Sequence, residues 1–122
     1  MAKILVVDDE ELARFTIRDI LESAGHQVEE AENGVEALAS QSAGPFDLII
    51  TDIIMPEKEG VETIIELKKL HPSLKIIAIS GGGRTRNLDF LKLAKEFGAD
   101  SILAKPFSED ELMEHVNACL SG

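Results

Sequence analysis

Short β-branched runs alternate five times with segments of helical periodicity, and this alternation leaves few folds open. The runs are Ile4–Val7, a weaker Gln27–Ala31, Leu48–Ile50, Ile76–Ile79 and Ile102–Leu103. Three of them are apolar almost throughout, the pattern of strands covered on both faces in a parallel sheet. Between the runs the apolar spacing becomes helical: Ala13, Ile17, Ile20, Leu21 and Ala24 share one stripe. Val61, Ile64 and Ile65 begin another, which Lys68 interrupts where an apolar residue is due. Phe90, Leu93, Ala94 and Phe97 form a third, and Leu112, Val116, Cys119 and Leu120 a fourth. Val35, Leu38 and Ala39 mark a short helix between the second and third runs. Asn33 is placed to cap that helix, and Ser108 with Glu111 forms a capping-box pattern. Gly25, Gly44-Pro45, His71-Pro72 and Gly98 end helices ahead of strands. The expected fold is one α/β domain over residues 1–122, with right-handed crossovers and helices on both faces of a parallel sheet.

Composition narrows the function. Twelve Lys and Arg against 23 Asp and Glu give a formal charge of −11. Such a domain repels phosphate backbones, so no direct nucleic-acid partner is expected. The single cysteine, Cys119, excludes an internal disulfide and a Cys-rich zinc site. No apolar stretch approaches the ~18 residues of a membrane helix, and acidic residues follow Val7 too soon for a signal peptide. A cytoplasmic protein without membrane contact is the expectation. His26, His71 and His115 show no metal-ligand spacing and read as solvated or capping residues. Cys119 reads as a small packing residue.

Open parallel sheets bind ligands at the carboxyl ends of their strands, near the switch in strand order. Asp8, Asp9, Glu10 and Glu11 follow the first strand directly, and Thr51-Asp52 ends the third. Ser80 ends the fourth, and Ala104-Lys105-Pro106 the fifth. Asp8, Asp9 and Asp52 should therefore converge, flanked by Ser80 and Lys105, while Glu10 and Glu11 cap the first helix at its positive end. Two carboxylates ~4 Å apart repel by ~4 kcal/mol at an effective dielectric near 20. Three need a cation, a proton or both. Carboxylate oxygens with room for water suit Mg²⁺, and Lys105 adds a fixed positive charge. Such a site is prepared for a phosphoryl group, with a carboxylate able to attack phosphorus.

These residues resemble the receiver domain of a two-component response regulator. The likeness rests on Asp8-Asp9, on Thr51-Asp52-Ile53-Ile54-Met55-Pro56 with Gly60 following, on Ser80-Gly81, and on Lys105-Pro106-Phe107. These motifs occur in the family's order and span nearly the whole chain. The resemblance implies a flavodoxin-like, doubly wound (βα)5 sandwich whose five parallel strands run in the order 2-1-3-4-5. It implies that Asp52 accepts a phosphoryl group from a phosphohistidine on a sensor histidine kinase or histidine phosphotransfer protein. Asp9 would ligate Mg²⁺ directly and Asp8 mainly through water, with Asp52 and the backbone carbonyl of Ile54 completing the protein ligands. Ser80 would follow the phosphoryl group and Lys105 pair with it. This movement would repack the face of the fourth helix, fifth strand and fifth helix, before in-line hydrolysis resets Asp52. The module is thus a self-phosphorylating switch rather than a classical enzyme, either a monomer or a phosphorylation-dependent dimer, acting on a downstream protein by contact. No output domain is expected within these residues.

Two features depart from the family pattern. Three positions before the lysine, where many members carry an aromatic switch residue, this chain has Ile102. Gly81-Gly82-Gly83 after Ser80 reads equally as a permissive turn or a mobile switch loop. Arg84 and Arg86 are surface charges or partner contacts on the same side. Three competing functions fit less well. An aspartate phosphohydrolase needs an acid two residues past its nucleophile, where Ile54 stands. A flavin-binding loop needs donors rather than four consecutive acids after the first strand. A phosphorylation-incompetent scaffold would not need the complete site.

Overall fold

The computed structural model describes residues 2–52, 59–80, 95–96 and 98–121. Five strands form one sheet: β1 (Lys3–Val7), β2 (Gln27–Ala31), β3 (Leu48–Asp52), β4 (Lys75–Ser80) and β5 (Ser101–Ala104). All four pairings are parallel, and the order is β2-β1-β3-β4-β5. Four helices are described: α1 (Glu11–Ser23), α2 (Gly34–Ala43), α3 (Glu59–Leu70) and α4 (Glu109–Ser121), the last being the fifth helix expected from the sequence. The stripe through Phe90 to Phe97, Gly81–Gly83, and Arg84 and Arg86 lie outside the described residues.

The alternation of side chains along each strand sorts the core into two layers. Leu5, Val7, Ile49 and Ile76 meet Ala37 of α2 and Ile64 and Leu67 of α3. Ile4, Val6, Leu48 and Ile50 meet Ile17 and Leu21 of α1 and Leu112 and Val116 of α4. Both faces are therefore covered, which is why β1, β3 and β4 are apolar at nearly every position. The result is the flavodoxin-like sandwich anticipated above. Among the described residues, no helix is long and apolar enough to cross a membrane.

Local chemistry matches the sequence at several ends. Asn33 accepts from the Glu36 amide at 2.9 Å. Ser108 and Glu111 exchange two 3.0 Å bonds, closing the capping box. Gly25 and Gly98 take positive φ values of 92° and 128° after their helices. Two local expectations need correction. Glu10 occupies the N-cap of α1 but its side chain makes no capping bond; instead Asp8 Oδ1 accepts from the Glu10 amide at 2.9 Å. A carboxylate two residues back reaches this amide as an Asx-type turn. On α2, Val35 and Ala39 face solvent, and Gly34, Ala37 and Gln41 make the buried face. Gly34 is chosen by close approach: a Cβ there would lie 2.0 Å from Thr63 Oγ1 on α3. Gln41 is buried because its side-chain oxygen accepts from the Phe46 amide at 3.0 Å.

Candidate functional site

β1 and β3 are neighbours, with Val7 paired to Thr51, so their next residues leave the sheet side by side. The switch in strand order lies here, because the chain steps from β1 outward to β2 and back across to β3. Asp8 and Asp9 from the β1 end and Asp52 from the β3 end offer carboxylate oxygens that all lie within 4.8 Å of one another. Asp8 and Asp52 are buried, 2% and 7% exposed, whereas Asp9 is exposed. Lys105, just past β5, sends Nζ to within 3.2 Å of Asp8 and 3.5 Å of Asp52. The Lys105–Pro106 peptide is cis.

The charges set the character of the cluster. Burial strips Lys105 of water and pulls its pKa down, but the Asp8 and Asp52 carboxylates, through charge and hydrogen bonds, outweigh this and raise it. Lys105 is therefore an ammonium at neutral pH. Three carboxylates against one ammonium leave two formal negative charges in the cluster. A divalent cation would balance that remainder, and an all-oxygen donor set with one exposed arm suits Mg²⁺.

Of the sequence-predicted site residues, Asp8, Asp9, Asp52 and Lys105 are brought together here. Ser80 ends β4, its backbone in register with Ala104, but its side chain and the whole of Ile54 lie outside the described residues. Ile102 is half-buried and packs against the core layer under α2 and α3. Glu10 and Glu11 stand apart as exposed residues at the start of α1. Two of the three histidines make structural bonds: His26 Nδ1 accepts from the Ala2 amide at 3.2 Å, and His115 Nδ1 lies 2.5 Å from Ser101 Oγ. Burial pushes the Cys119 thiol up and leaves it a packing residue.

Two features escaped sequence reasoning. Arg14 occupies the buried side of α1 between Ala13 and Ile17 and donates to the Asp8 carbonyl at 2.5 Å. A charged residue on an otherwise apolar stripe, six positions from Asp8, was the available signal. An open groove of about 560 Å³ also flanks the site, lined by Leu12, Ala13, Thr16, Ile17, Pro106 and Phe107 beside Glu10 and Lys105. A larger depression of about 740 Å³ lies at the opposite end of the sheet, around His26, Asp47 and Lys75. Among the described residues its lining carries a single carboxylate, Asp47, whereas the smaller groove adjoins Lys105 and so lies next to the acidic cluster.

Comparison with known proteins identifies the family and the fold. The response regulator receiver domain family matches residues 4–117. Chemotaxis protein CheY of Halobacterium salinarum is 36% identical over 123 residues, spanning 100% of each chain. Sporulation initiation phosphotransferase F of Bacillus subtilis is 31% identical over 118 residues, 97% of this chain and 93% of that protein. The crystal structure of the receiver domain of NtrX from Brucella abortus superposes with a TM-score of 0.90 at 33% identity, covering 97% of this chain and 98% of that one. With the family matched across residues 4–117, a full-length relative above one-third identity and a receiver-domain structure that superposes over nearly the whole chain, the chain belongs to the response regulator receiver domains.

Proposed function

We propose that residues 1–122 act as a phosphoryl-accepting switch in two-component signalling, with Asp52 as the acceptor. The observation that carries this is the convergence of Asp8, Asp9 and Asp52 around Lys105. The donor is a phosphohistidine on a sensor histidine kinase or histidine phosphotransfer protein. A carboxylate oxygen of Asp52 attacks phosphorus, the P–N bond breaks, and the leaving imidazole keeps the bonding pair. The product is a mixed anhydride on Asp52. Asp9 and Asp52 would hold Mg²⁺ directly and Asp8 mainly through water, with the Ile54 carbonyl as a further ligand. When bound, the ion shields the attacking carboxylate from the phosphoryl oxygens. Lys105 pairs with one phosphoryl oxygen and Ser80 donates its hydroxyl to another. Hydrolysis cleaves the P–O bond, returns the Asp52 carboxylate and releases inorganic phosphate.

Switching follows from contacts that exist only with the phosphoryl group present. Ser80 and Lys105 gain partners then, which biases the two arrangements of the chain around them. With Ile102 in place of an aromatic residue, the response passes through repacking of an aliphatic side chain. The face of the fourth helix, β5 and α4 presents the change to a downstream protein in the cytoplasm. A protein donor is supported by the groove beside the site and by Leu12 and Phe15, exposed at 77% and 60% on α1. The relatives named for chemotaxis and for phosphotransfer support the same reading.

The test is intact mass after incubation with acetyl phosphate, with and without Mg²⁺. The wild type should gain one phosphoryl group only with the metal, and Asp52→Asn should gain none. Undiminished labelling of the variant would reject Asp52 as acceptor.

A further inference from the structure

The sheet stops holding the chain just before the metal-site residues begin. Asp8 still donates its amide to the Ala31 carbonyl at 3.1 Å, but its own carbonyl points past the last rung of the ladder. That carbonyl accepts instead from Arg14, a residue 7% exposed on the buried side of α1. Arg14 Nε donates to Glu30 Oε1 at 3.0 Å, and Arg18 holds the other Glu30 oxygen at 2.8 Å. Arg18 is braced in turn by Glu22 at 3.0 Å. A relay of fixed side chains thus runs from β2 through α1 to the Asp8 carbonyl.

The Asp8 carbonyl and the Asp9 amide belong to one planar peptide. Fixing the first sets the plane from which Asp9 departs. The Asp8 side chain has its own supports, the Glu10 amide and Lys105. Asp9 has an exposed carboxylate, and no hydrogen bond among the described residues holds it. Its direction depends on its backbone. Glu30 pairs with Arg14, and the contact of Arg14 with the site is to a backbone carbonyl rather than to a carboxylate, so what it delivers there is geometry. We infer that Arg14 is a positioning residue: its guanidinium, tethered by Glu30, locks the Asp8–Asp9 peptide so that the two carboxylates meet Asp52 at divalent-cation spacing. This rests on the Mg²⁺ site proposed above.

The test is Mg²⁺ binding by isothermal titration calorimetry on the whole chain, with folding checked by circular dichroism. Groups that orient ligands typically change metal affinity 10–100-fold, so Arg14→Met and Arg14→Lys should each weaken Mg²⁺ by about tenfold or more. An ammonium cannot span both partners of the guanidinium fork, which is why lysine should not rescue. Glu30→Gln, which loosens the same guanidinium without emptying its space, should weaken binding in the same direction. Lys68→Met breaks a 2.8 Å pair with Asp100 at the far end of the sheet and should lower the melting point without altering affinity. Folded Arg14 variants that bind Mg²⁺ as the wild type does would overturn the inference. If they fail to fold, Glu30→Gln decides, and unchanged affinity there overturns it. A wild type that binds no Mg²⁺, or an Asp9→Asn variant that binds it equally well, would instead remove the metal site itself.

Discussion

Replacing Asp9 with asparagine should make the metal-free protein more stable. The carboxylate oxygens of Asp8, Asp9 and Asp52 lie within 4.8 Å of one another. Asp9 is exposed, so water screens it; with a dielectric near 80, each pair at that limiting distance repels by ~0.9 kcal/mol. Two such pairs sum to ~1.7 kcal/mol. Lys105 returns part of this as lost attraction, although it is already engaged by Asp8 and Asp52. The expected net gain is about 1 kcal/mol at low salt, a rise of about 4 °C in melting midpoint for a domain of this size. The chain has neither Trp nor Tyr, so far-UV circular dichroism is the suitable probe. At about 1 M salt, where the screening length falls to ~3 Å, the gain should largely vanish. Added Mg²⁺ should raise the wild-type midpoint by mass action and narrow the difference between the two proteins. A variant that melts below the wild type at low salt, or a gain indifferent to salt, would refute this reasoning.

Gly34→Ala should destabilise by about 1–3 kcal/mol, because the new Cβ meets a buried Thr63 on the facing helix. Urea midpoints should show most of that loss recovered in a Thr63→Ala background, and equal losses in both backgrounds would contradict the crossing. Glu30 should mark the acid limb of stability. The Arg18 hydrogen bond, against an opposing effect of burial and with help from Arg14, holds its carboxyl below the usual range. A group so lowered contributes fully above its unfolded pKa of ~4.3 and loses that contribution as pH falls through the folded value. The stability gap between wild type and Glu30→Gln should therefore be widest at neutral pH and close below about pH 4. A gap that widens on acidification would contradict the pairing.

The strands were most legible where the sheet is covered on both faces, in β1, β3 and β4. β3 is buried at all five positions, which no alternating pattern would have produced. β2 read weakly for a physical reason: it is an edge strand, with Gln27 and Glu29 exposed and only Val28 and Ala31 in the core. Helix faces were harder. On α2 a glycine at a close crossing and a glutamine satisfied by a backbone amide flank Ala37 on the buried side, and neither of those two reads as a core residue. Lys68, which broke the stripe on α3, keeps the helix face by laying its stem along Gly98 while its ammonium takes the Leu74 carbonyl and Asp100. The acidic cluster was legible because strand ends announce themselves, Asp8-Asp9 and Thr51-Asp52 directly following apolar runs. The tie from Arg14 to the site was not, since there its partner is a backbone carbonyl and a backbone atom leaves no mark in a sequence.

The central claim is that the β3-end carboxylate takes the phosphoryl group while the β1-end pair serves it. Borohydride reduction of the phosphorylated protein, followed by peptide sequencing, reads this directly, because an acyl phosphate is reduced to homoserine at the residue that carried it. The product is expected at position 52 alone. Homoserine at position 8 or 9 would reverse the roles, and its absence from a protein shown by mass to be phosphorylated would place the phosphoryl group on a different kind of side chain.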